Sequence, residues 1–558
     1  MKLRLLIYPL LACALGGCTA NFFRRSADRE TGRIIGQKGS KVENMDPKFS
    51  IASNGPVSLA GLPLNKKVEA SLGEDAPNEA GLPVISLETA LGMAIKHSRI
   101  YQNNKEQVYL SALSLTLSRH QFTPLFSIGG AGRYNVRTVP GEGPSLSDNL
   151  VENRQYGGNG EASADWLIRG VGKISAAFTT DALRFIGGDA RLATSSQLGA
   201  TFTRPLLRDS GFKSDTESLL QAEREVLYEV RSFVKFRKDF SVQLASAYYG
   251  VLGNRDAIRN SYLSLQSSRK AIERGRALAK EGRVTQADLG RLEQQALSSE
   301  SAWISAVRTY KRALDDFKIQ LGIPVPTRLM LDDHDLDQLK IEPPDISPDD
   351  ALKIALAARL DFQNVRDQRA DAVRKVKLAK DRFKPQLDIV GGIGADSAIQ
   401  SQGFATPDAA RYKWNGGVNV DLPFLRKAER NSYRAALISL DRAGRAEEQR
   451  RDEIELQVRD SFRTLEQARR SYELSEGGVK LAERRVEEQE LLAQLGRAKA
   501  QDQVDAQNDL VSSKNQRTQA LVAHTIARLQ FWVNMGILYI KDNGQWRETK
   551  HAKPNLPS

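Results

Sequence analysis

The stretch QFTPLFSIGGAGRYNVR, residues 121–137, holds the change of period on which the fold turns. Upstream of it, apolar residues recur at helical spacing. Immediately after Pro124 the period falls to two: Phe126, Ile128, Gly130, Gly132, Tyr134 and Val136 alternate with Ser127, Gly129, Ala131, Arg133, Asn135 and Arg137. One face is apolar or tiny and the other polar, the mark of a two-faced strand. Proline supplies the stop, because it lacks an N–H and disfavours helix in the residue before it. The device returns as RFKPQLDIVGGIG, residues 382–394, where Leu387, Ile389, Gly391 and Ile393 mark a strand that Val390 blurs.

That return is part of a larger one. Residues 85–128 recur as 346–389 at a constant offset of 261, with Ala90-Leu91 matching Ala351-Leu352 and Gln102-Asn103 matching Gln363-Asn364. A second pair of segments recurs at an offset of 214: Gly282 matches Gly496, Asp288 matches Asp502, Phe317 matches Phe531, and Gly322-Ile323 matches Gly536-Ile537. Such spacings are far too long for a solenoid of short repeats. The chain therefore reads as one architecture made of two halves.

Each half follows one order. Ser86-Leu87-Glu88 opens a helix expected to run to about Gln121, with Ser as cap. Strands follow Pro124, over about 125–206, and Pro385, as a hairpin over about 386–422. The strand regions leave through Pro205 and Pro423, since Val420–Arg426 mirrors Phe202–Arg208. Two very long helices are predicted next, from about Lys213 to Lys280 and Lys427 to Gln494, each ~100 Å at the helical rise. Leu219, Val226, Phe233, Phe240 and Ala247 keep a heptad in the first, and Val458, Leu465, Tyr472, Val479 and Val486 in the second, so both should pack as coiled coils. Glycine turns end them, at 281–285 and 495–499, and shorter helices return. The expected organisation is residues 1–17 as a leader, 18–84 as an extended tether, 85–322 as the first repeat, 323–345 as a linker, 346–537 as the second repeat and 538–558 as a tail. Strands this two-faced are either half-buried in a soluble sheet or a wall between lipid and a wet lumen, and the leader favours the second, so the expected fold class is mainly α with membrane β.

The leader has a basic start (Lys2, Arg4) and an apolar core from Leu5 to Leu15 that is too short to span a bilayer. Leu15-Gly16-Gly17-Cys18 resembles the bacterial lipobox, whose cysteine becomes an acylated first residue. Thr19, rather than Asp, then implies sorting to the outer membrane. Cys13 and Cys18 are the only cysteines, and the five histidines are scattered, so a disulfide framework or a metalloenzyme is not expected. The formal charge of +13 comes from basic residues interleaved with acids, as in Glu223-Arg224-Glu225, which reads as a solvated helical surface and not a nucleic-acid footprint. No apolar run after the leader could span a membrane as a helix, so any crossing must be made by strands.

The duplicated order, the Ala-Leu…Pro helices and the paired Gly…Asp turns resemble the TolC family of outer-membrane efflux proteins over about Ile85 to Ile537. The resemblance implies a homotrimer whose protomers share one twelve-stranded β-barrel in outer-membrane lipid, continued by a helical barrel in the periplasm. It implies a passive channel with no enzymatic activity, no cofactor and no metal, serving a periplasmic adaptor and an inner-membrane pump in tripartite efflux or type I secretion. It places the adaptor-contact tips at Gly282, Arg283, Val284, Thr285 and at Gly496, Arg497, Ala498, Lys499. It places the periplasmic gate at Asp288, Arg497, Asp502 and Asp505, with Arg497–Asp288 as a latch and the last two acids as a carboxylate ring. Cys18 is the lipid anchor, and Pro124, Pro205, Pro385 and Pro423 are the helix–strand junctions. One departure concerns the strands: Pro124 to Pro205 spans 81 residues against 38 for Pro385 to Pro423, so an extra hairpin or an elaborated external loop is expected. A periplasmic adaptor (membrane-fusion) lipoprotein is the alternative, but it should carry one hairpin beside lipoyl-like domains; a structural coiled-coil lipoprotein should form no pores.

Overall fold

The computed structural model describes residues 20–52, 55–140, 150–185, 192–343, 346–400, 404–422, 424–495, 497 and 499–547. The expected leader, Cys18, Pro423, Gly496 and Ala498 lie outside the described residues. Packing divides the chain into two units, one of residues up to 34, 110–227 and 366–445, the other of 35–109, 228–365 and 446–558.

In chain order the helices are α1 (Ala20–Gly39), α2 (Leu87–His97), α3 (Arg99–His120), α4 (Lys213–Lys280), α5 (Gln286–Leu321), α6 (Pro348–Ala358), α7 (Leu360–Asp381), α8 (Lys427–Gln494) and α9 (Ala500–Met535). Between α3 and α4 lie β1 (Leu125–Pro140), β2 (Leu150–Ile168), β3 (Gly172–Phe185) and β4 (Leu192–Pro205); between α7 and α8 lie β5 (Gln386–Asp396) and β6 (Tyr412–Asp421). Matched helices have matched lengths: α4 and α8 have 68 residues each, and α5 and α9 have 36 each.

The first unit holds one six-stranded antiparallel sheet in the order β1-β2-β3-β4-β5-β6. The stretch between Pro124 and Pro205 is therefore built as four strands, two more than the stretch after Pro385. The two stretches join side by side, with β4 paired to β5 from Gln197↔Asp396 to Pro205↔Asp388.

In the second unit, the helix expected from Ser86 to about Gln121 is two helices. The chain leaves helical geometry at Ser98 (φ −64°, ψ 126°), and does so again at Arg359 (φ −69°, ψ 120°) in the second half. The cause is tertiary. Gly322 and Gly536 close α5 and α9 in the left-handed conformation, φ 78° and 79°, and each lies against one of these breaks. A Cβ on Gly322 would sit 2.0 Å from the His97 carbonyl oxygen, and one on Gly536 would sit 3.2 Å from the Ala358 carbonyl carbon. Bare backbone at both places lets the return helix end inside the notch.

The long helices bury their stripes as heptads require. Val226, Val230, Phe233, Phe240, Leu244 and Val251 are buried along α4, and Val458, Leu465 and Val479 along α8, while Ala247, Tyr472 and Val486 are half-buried. Phe531 and Met535 of α9 complete the second cluster with Ala351, Ala355, Phe362, Ile454, Val458 and Leu465.

The described part of the expected tether, residues 20–84, includes α1 and a segment clamped onto α4. Arg255, 3% exposed, bonds Glu69 and Glu79 at 2.7 Å each, and Arg259 bonds Glu69 and Asp333. Val84–Ile85 pairs in parallel with Met330–Leu331. Asn44 exchanges two hydrogen bonds with the backbone of Ile540, its amide donating at 2.6 Å and its carbonyl oxygen accepting at 2.8 Å.

One ion cluster is sensitive to acid. Buried Arg359 bonds Asp361 (2.7 Å), Gln457 (2.9 Å) and the Asn534 carbonyl (3.2 Å), and Arg450 reaches Asp361 at 2.6 Å. Burial alone would raise the Asp361 carboxyl, but Arg359 and Arg450 outweigh it and hold it at about 2. A depressed folded pKa stabilises above the unfolded value and is lost as pH falls through the folded one. Asp361 should thus contribute about 2 kcal/mol at neutral pH, lost between roughly pH 4 and pH 2. Acid titration of Asp361→Asn should show that step missing from the stability curve; a curve parallel to the parent's through that window would refute the assignment.

Candidate functional site

Strand register decides which side chains share a face of the sheet. Cross-strand partners run Phe126–Ala164–Ala176–Ala200–Ile393–Trp414, and Ile128 adds Ala162, Phe178, Leu198, Ala395 and Tyr412 in the next row. One face is therefore apolar across all six strands. It is not covered within the chain: Phe126, Ile128, Ile393 and Trp414 are each more than two thirds exposed. Tyr134 and Tyr156 pack ring on ring on the same face, 5.1 Å between centroids.

The opposite face is mainly polar, with Leu125, Leu167, Leu183 and Val390 among its few large apolar residues. Ser127 and Ser163 share a hydrogen bond of 2.7 Å, Lys173 pairs with Asp165 at 3.3 Å, and Lys413 pairs with Asp396 at 2.9 Å. Among the described residues, charged side chains enter the apolar face only toward the strand ends, Arg204 next to Pro205 and Glu152, Arg154 and Arg184 at the other end. An apolar band bounded by charge, backed by a polar face, is what a strand needs between lipid and a watery lumen.

The proline junctions frame this band. Pro124 and Pro385 immediately precede β1 and β5, and Pro205 ends β4. Beyond Pro205 the ladder continues for two bonds, Leu206 N–H to the Leu387 carbonyl (2.7 Å) and Arg208 N–H to the Pro385 carbonyl (3.1 Å). The chain then turns into α4 through positive φ at Asp209, Gly211 and Phe212. Asp381 secures the turn by accepting from Asp209 N–H at 3.0 Å and from the Lys213 ammonium at 3.1 Å. The Arg426 side chain donates to the Phe383 carbonyl beside the second junction.

The helix tips are the second part of the site. Gly282, φ 71°, closes α4: its N–H bonds the Ala279 carbonyl at 3.1 Å, and Arg283 N–H bonds the Leu278 carbonyl at 3.0 Å. This pair of bonds satisfies carbonyls that the helix end leaves orphaned. Arg497 N–H makes the matching bond to the Leu492 carbonyl at 2.9 Å. The caps differ. Thr285 Oγ1 accepts from Asp288 N–H at 3.1 Å and donates to the Asp288 carboxylate at 2.7 Å, whereas Lys499 caps α9 with no side-chain bond. Arg283 lies 3.9 Å from Glu281, and Val284 is half-buried.

Among the expected gate residues, Asp288 pairs with Arg291 at 3.9 Å on its own helix. Arg497 is exposed, and no bond joins it to Asp288 within the chain. Asp502 is exposed and Asp505 half-buried on α9, with Gln501 donating to Asp505 at 2.9 Å. Further along, Asp509 pairs with Arg485, a contact that sequence reasoning missed. It also missed a second apolar stripe. Leu110 and Leu117 on α3, Leu297 and Ile304 on α5, and Leu474 and Leu481 on α8 are all exposed at seven-residue spacing. A second heptad register in the sequence was the available signal. Among the described residues no group of three or more His, Cys, Asp or Glu could hold a metal, and no helix is long and apolar enough to cross a membrane.

The unequal caps make a prediction. Thr285→Ala should cost the first turn of α5 about 1 kcal/mol, while Lys499→Ala should leave α9 within about 0.5 kcal/mol. Amide exchange at residues 286–289 and 500–503 reads both, and equal effects would contradict the capping assignment.

Residues 351–531 match the family model for the outer membrane efflux protein. The chain's fold is similar to that of CusC, described in terms of transmembrane channel formation, at TM-score 0.60 and 14% identity over 81% of this chain and 92% of that one. It is also similar to the outer membrane protein VceC of Vibrio cholerae (0.60, 13%, 81% and 96%) and to the outer membrane channel CmeC of Campylobacter jejuni (0.59, 12%, 88% and 94%). No curated protein matches the chain at a significant level.

Proposed function

We infer that this chain, which belongs to the outer membrane efflux protein family through its match over residues 351–531, is one protomer of a passive homotrimeric conduit from periplasm to exterior. The observation that carries the reading is the six-stranded sheet, with an apolar band across one face, a mainly polar opposite face and, among the described residues, no partner strand at either edge. Lipid does not tolerate an open edge, and six strands with a polar lumen are too few to close alone. The exposed heptad leucines of α3, α5 and α8 fit the same assembly, since apolar seams at seven-residue spacing bury themselves against further helices.

The remaining parts take their roles from that assembly. Two halves of matched helix lengths form the wall as an internal repeat. Cys18 anchors the chain to the membrane by a lipid. The tips around Gly282 and Gly496 dock a periplasmic adaptor, which with an inner-membrane pump supplies the energy for efflux or type I secretion. Asp502 and Asp505, three apart on α9, lie on one face, and three copies give a ring of six carboxylates that favours cations. Because Asp288 and Arg497 do not meet within the chain, the latch is a contact between neighbouring copies.

Two outcomes test this. Purified from membranes, the protein should run as a heat-modifiable trimer and form discrete pores in planar bilayers; a monomer without pore activity would sink the conduit. An exposed ion pair holds only about 0–1 kcal/mol. Arg497→Ala and Asp288→Ala should each therefore raise the open fraction of the resting pore, up to roughly fivefold. Unchanged conductance in both variants would remove the latch and leave the conduit.

A further inference from the structure

We propose that β6 of one copy pairs with β1 of the next in the register that β4 and β5 use within the chain, so that three copies close an 18-stranded wall in place of the twelve strands the resemblance implies. The proposal rests on the trimeric conduit above and adds to it the joint and the strand number.

Among the described residues neither edge has a further partner, β1 pairing with β2 and β6 with β5. Strand direction alternates at each of the five steps, so β6 and β1 are antiparallel and a joint between copies repeats the pattern of every other pair. The joint has an internal template. β4 ends the first strand region and β5 begins the second; β6 ends the second and β1 begins the first. Sequence correspondence maps Phe202 onto Val420 and Asp388 onto Ser127. Carrying the observed pairs Phe202↔Gly391, Ala200↔Ile393 and Leu198↔Ala395 across gives Val420↔Gly130, Val418↔Gly132 and Gly416↔Tyr134, with Trp414↔Val136 beyond.

The side chains select this register. Within the chain each apolar pair at the β4–β5 joint sets one large residue against one small: Phe against Gly, Ile against Ala, Leu against Ala. The three transferred pairs do the same, with Val against Gly twice and Tyr against Gly, and Trp414 against Val136 beyond them is the one pair of two large residues. A shift by two places Gly416 against Gly132 and crowds Trp414 onto Tyr134, or in the other sense sets Val418 on Tyr134. A shift by one turns the exposed apolar face of one strand into the polar face of its neighbour. Lys413, which faces position 137 in the chosen register, is already neutralised by Asp396 at 2.9 Å. Barrel diameter grows roughly linearly with strand number, so the wall would be about 1.5-fold wider than a twelve-stranded one.

The test uses full-length protein in its membrane with paired cysteines on the polar face. Directly opposed positions are close enough for a disulfide, and diagonal ones about 7–8 Å apart are not. Asn135→Cys/Asn415→Cys should oxidise to covalent dimers and trimers, while Arg133→Cys/Asn415→Cys and Asn135→Cys/Gly417→Cys, which sample the two shifted registers, should not. Preferential linking by either shifted pair overturns the register. Failure of all three pairs in a protein that still forms trimeric pores overturns the joint while leaving the conduit. Absence of trimers and pores in the parent protein overturns the conduit reading itself.

Discussion

Unpaired backbone at the edge of a sheet is the constraint from which the rest follows. Every N–H and C=O exposed to hydrocarbon costs several kcal/mol, because lipid offers no partner. The sheet of this chain has an uncovered apolar face, which calls for lipid, and two free edges, which lipid forbids. The proposed association of copies would close the edges, so that the apolar face could stay in lipid. In the proposed joint the small residues on β1 and β6 would have a purpose beyond flexibility, with Gly130, Gly132 and Gly416 leaving space for the larger neighbours of a second copy.

The helical unit answers a related problem in water. Coiled-coil helices need a seam on each side that touches a neighbour. One seam is filled within the chain by residues such as Val226, Phe233, Val458 and Leu465, and a second, marked by Leu474 and Leu481, is not. The glycines that end α5 and α9 fix where the short helices break, and thereby how the return helix seats in each half. The clamp from Glu69 and Glu79 onto Arg255 ties the amino-terminal segment to the same helices and buries a guanidinium only where three carboxylates meet it.

Features set by local chemistry were legible in the sequence. The fall in period at Pro124, the heptads, and glycines placed just past helix ends depend on a few neighbouring residues, and α4, α8 and the turn at Gly282 follow them. Features set by partners distant in the chain were not. Nothing near Ser98 or Arg359 breaks a helix; the break appears because Gly322 and Gly536, more than 170 residues away in each case, occupy the notch. Glu69 looked like part of a tether because its partners lie at Arg255 and Arg259. For the gate, the family resemblance singled out Asp288 and Arg497, and a sequence does not say whether two such residues would meet within a copy or between copies.

A wall shared by three copies in the membrane is the central claim. Electron cryo-microscopy of the assembled protein in lipid nanodiscs, viewed along the membrane normal, tests it most directly. The predicted result is three copies sharing one uninterrupted wall of 18 strands, with no gap between β6 and β1. A wall of twelve strands with part of the first strand region folded outside it, or separate sheets with free edges, would contradict the account.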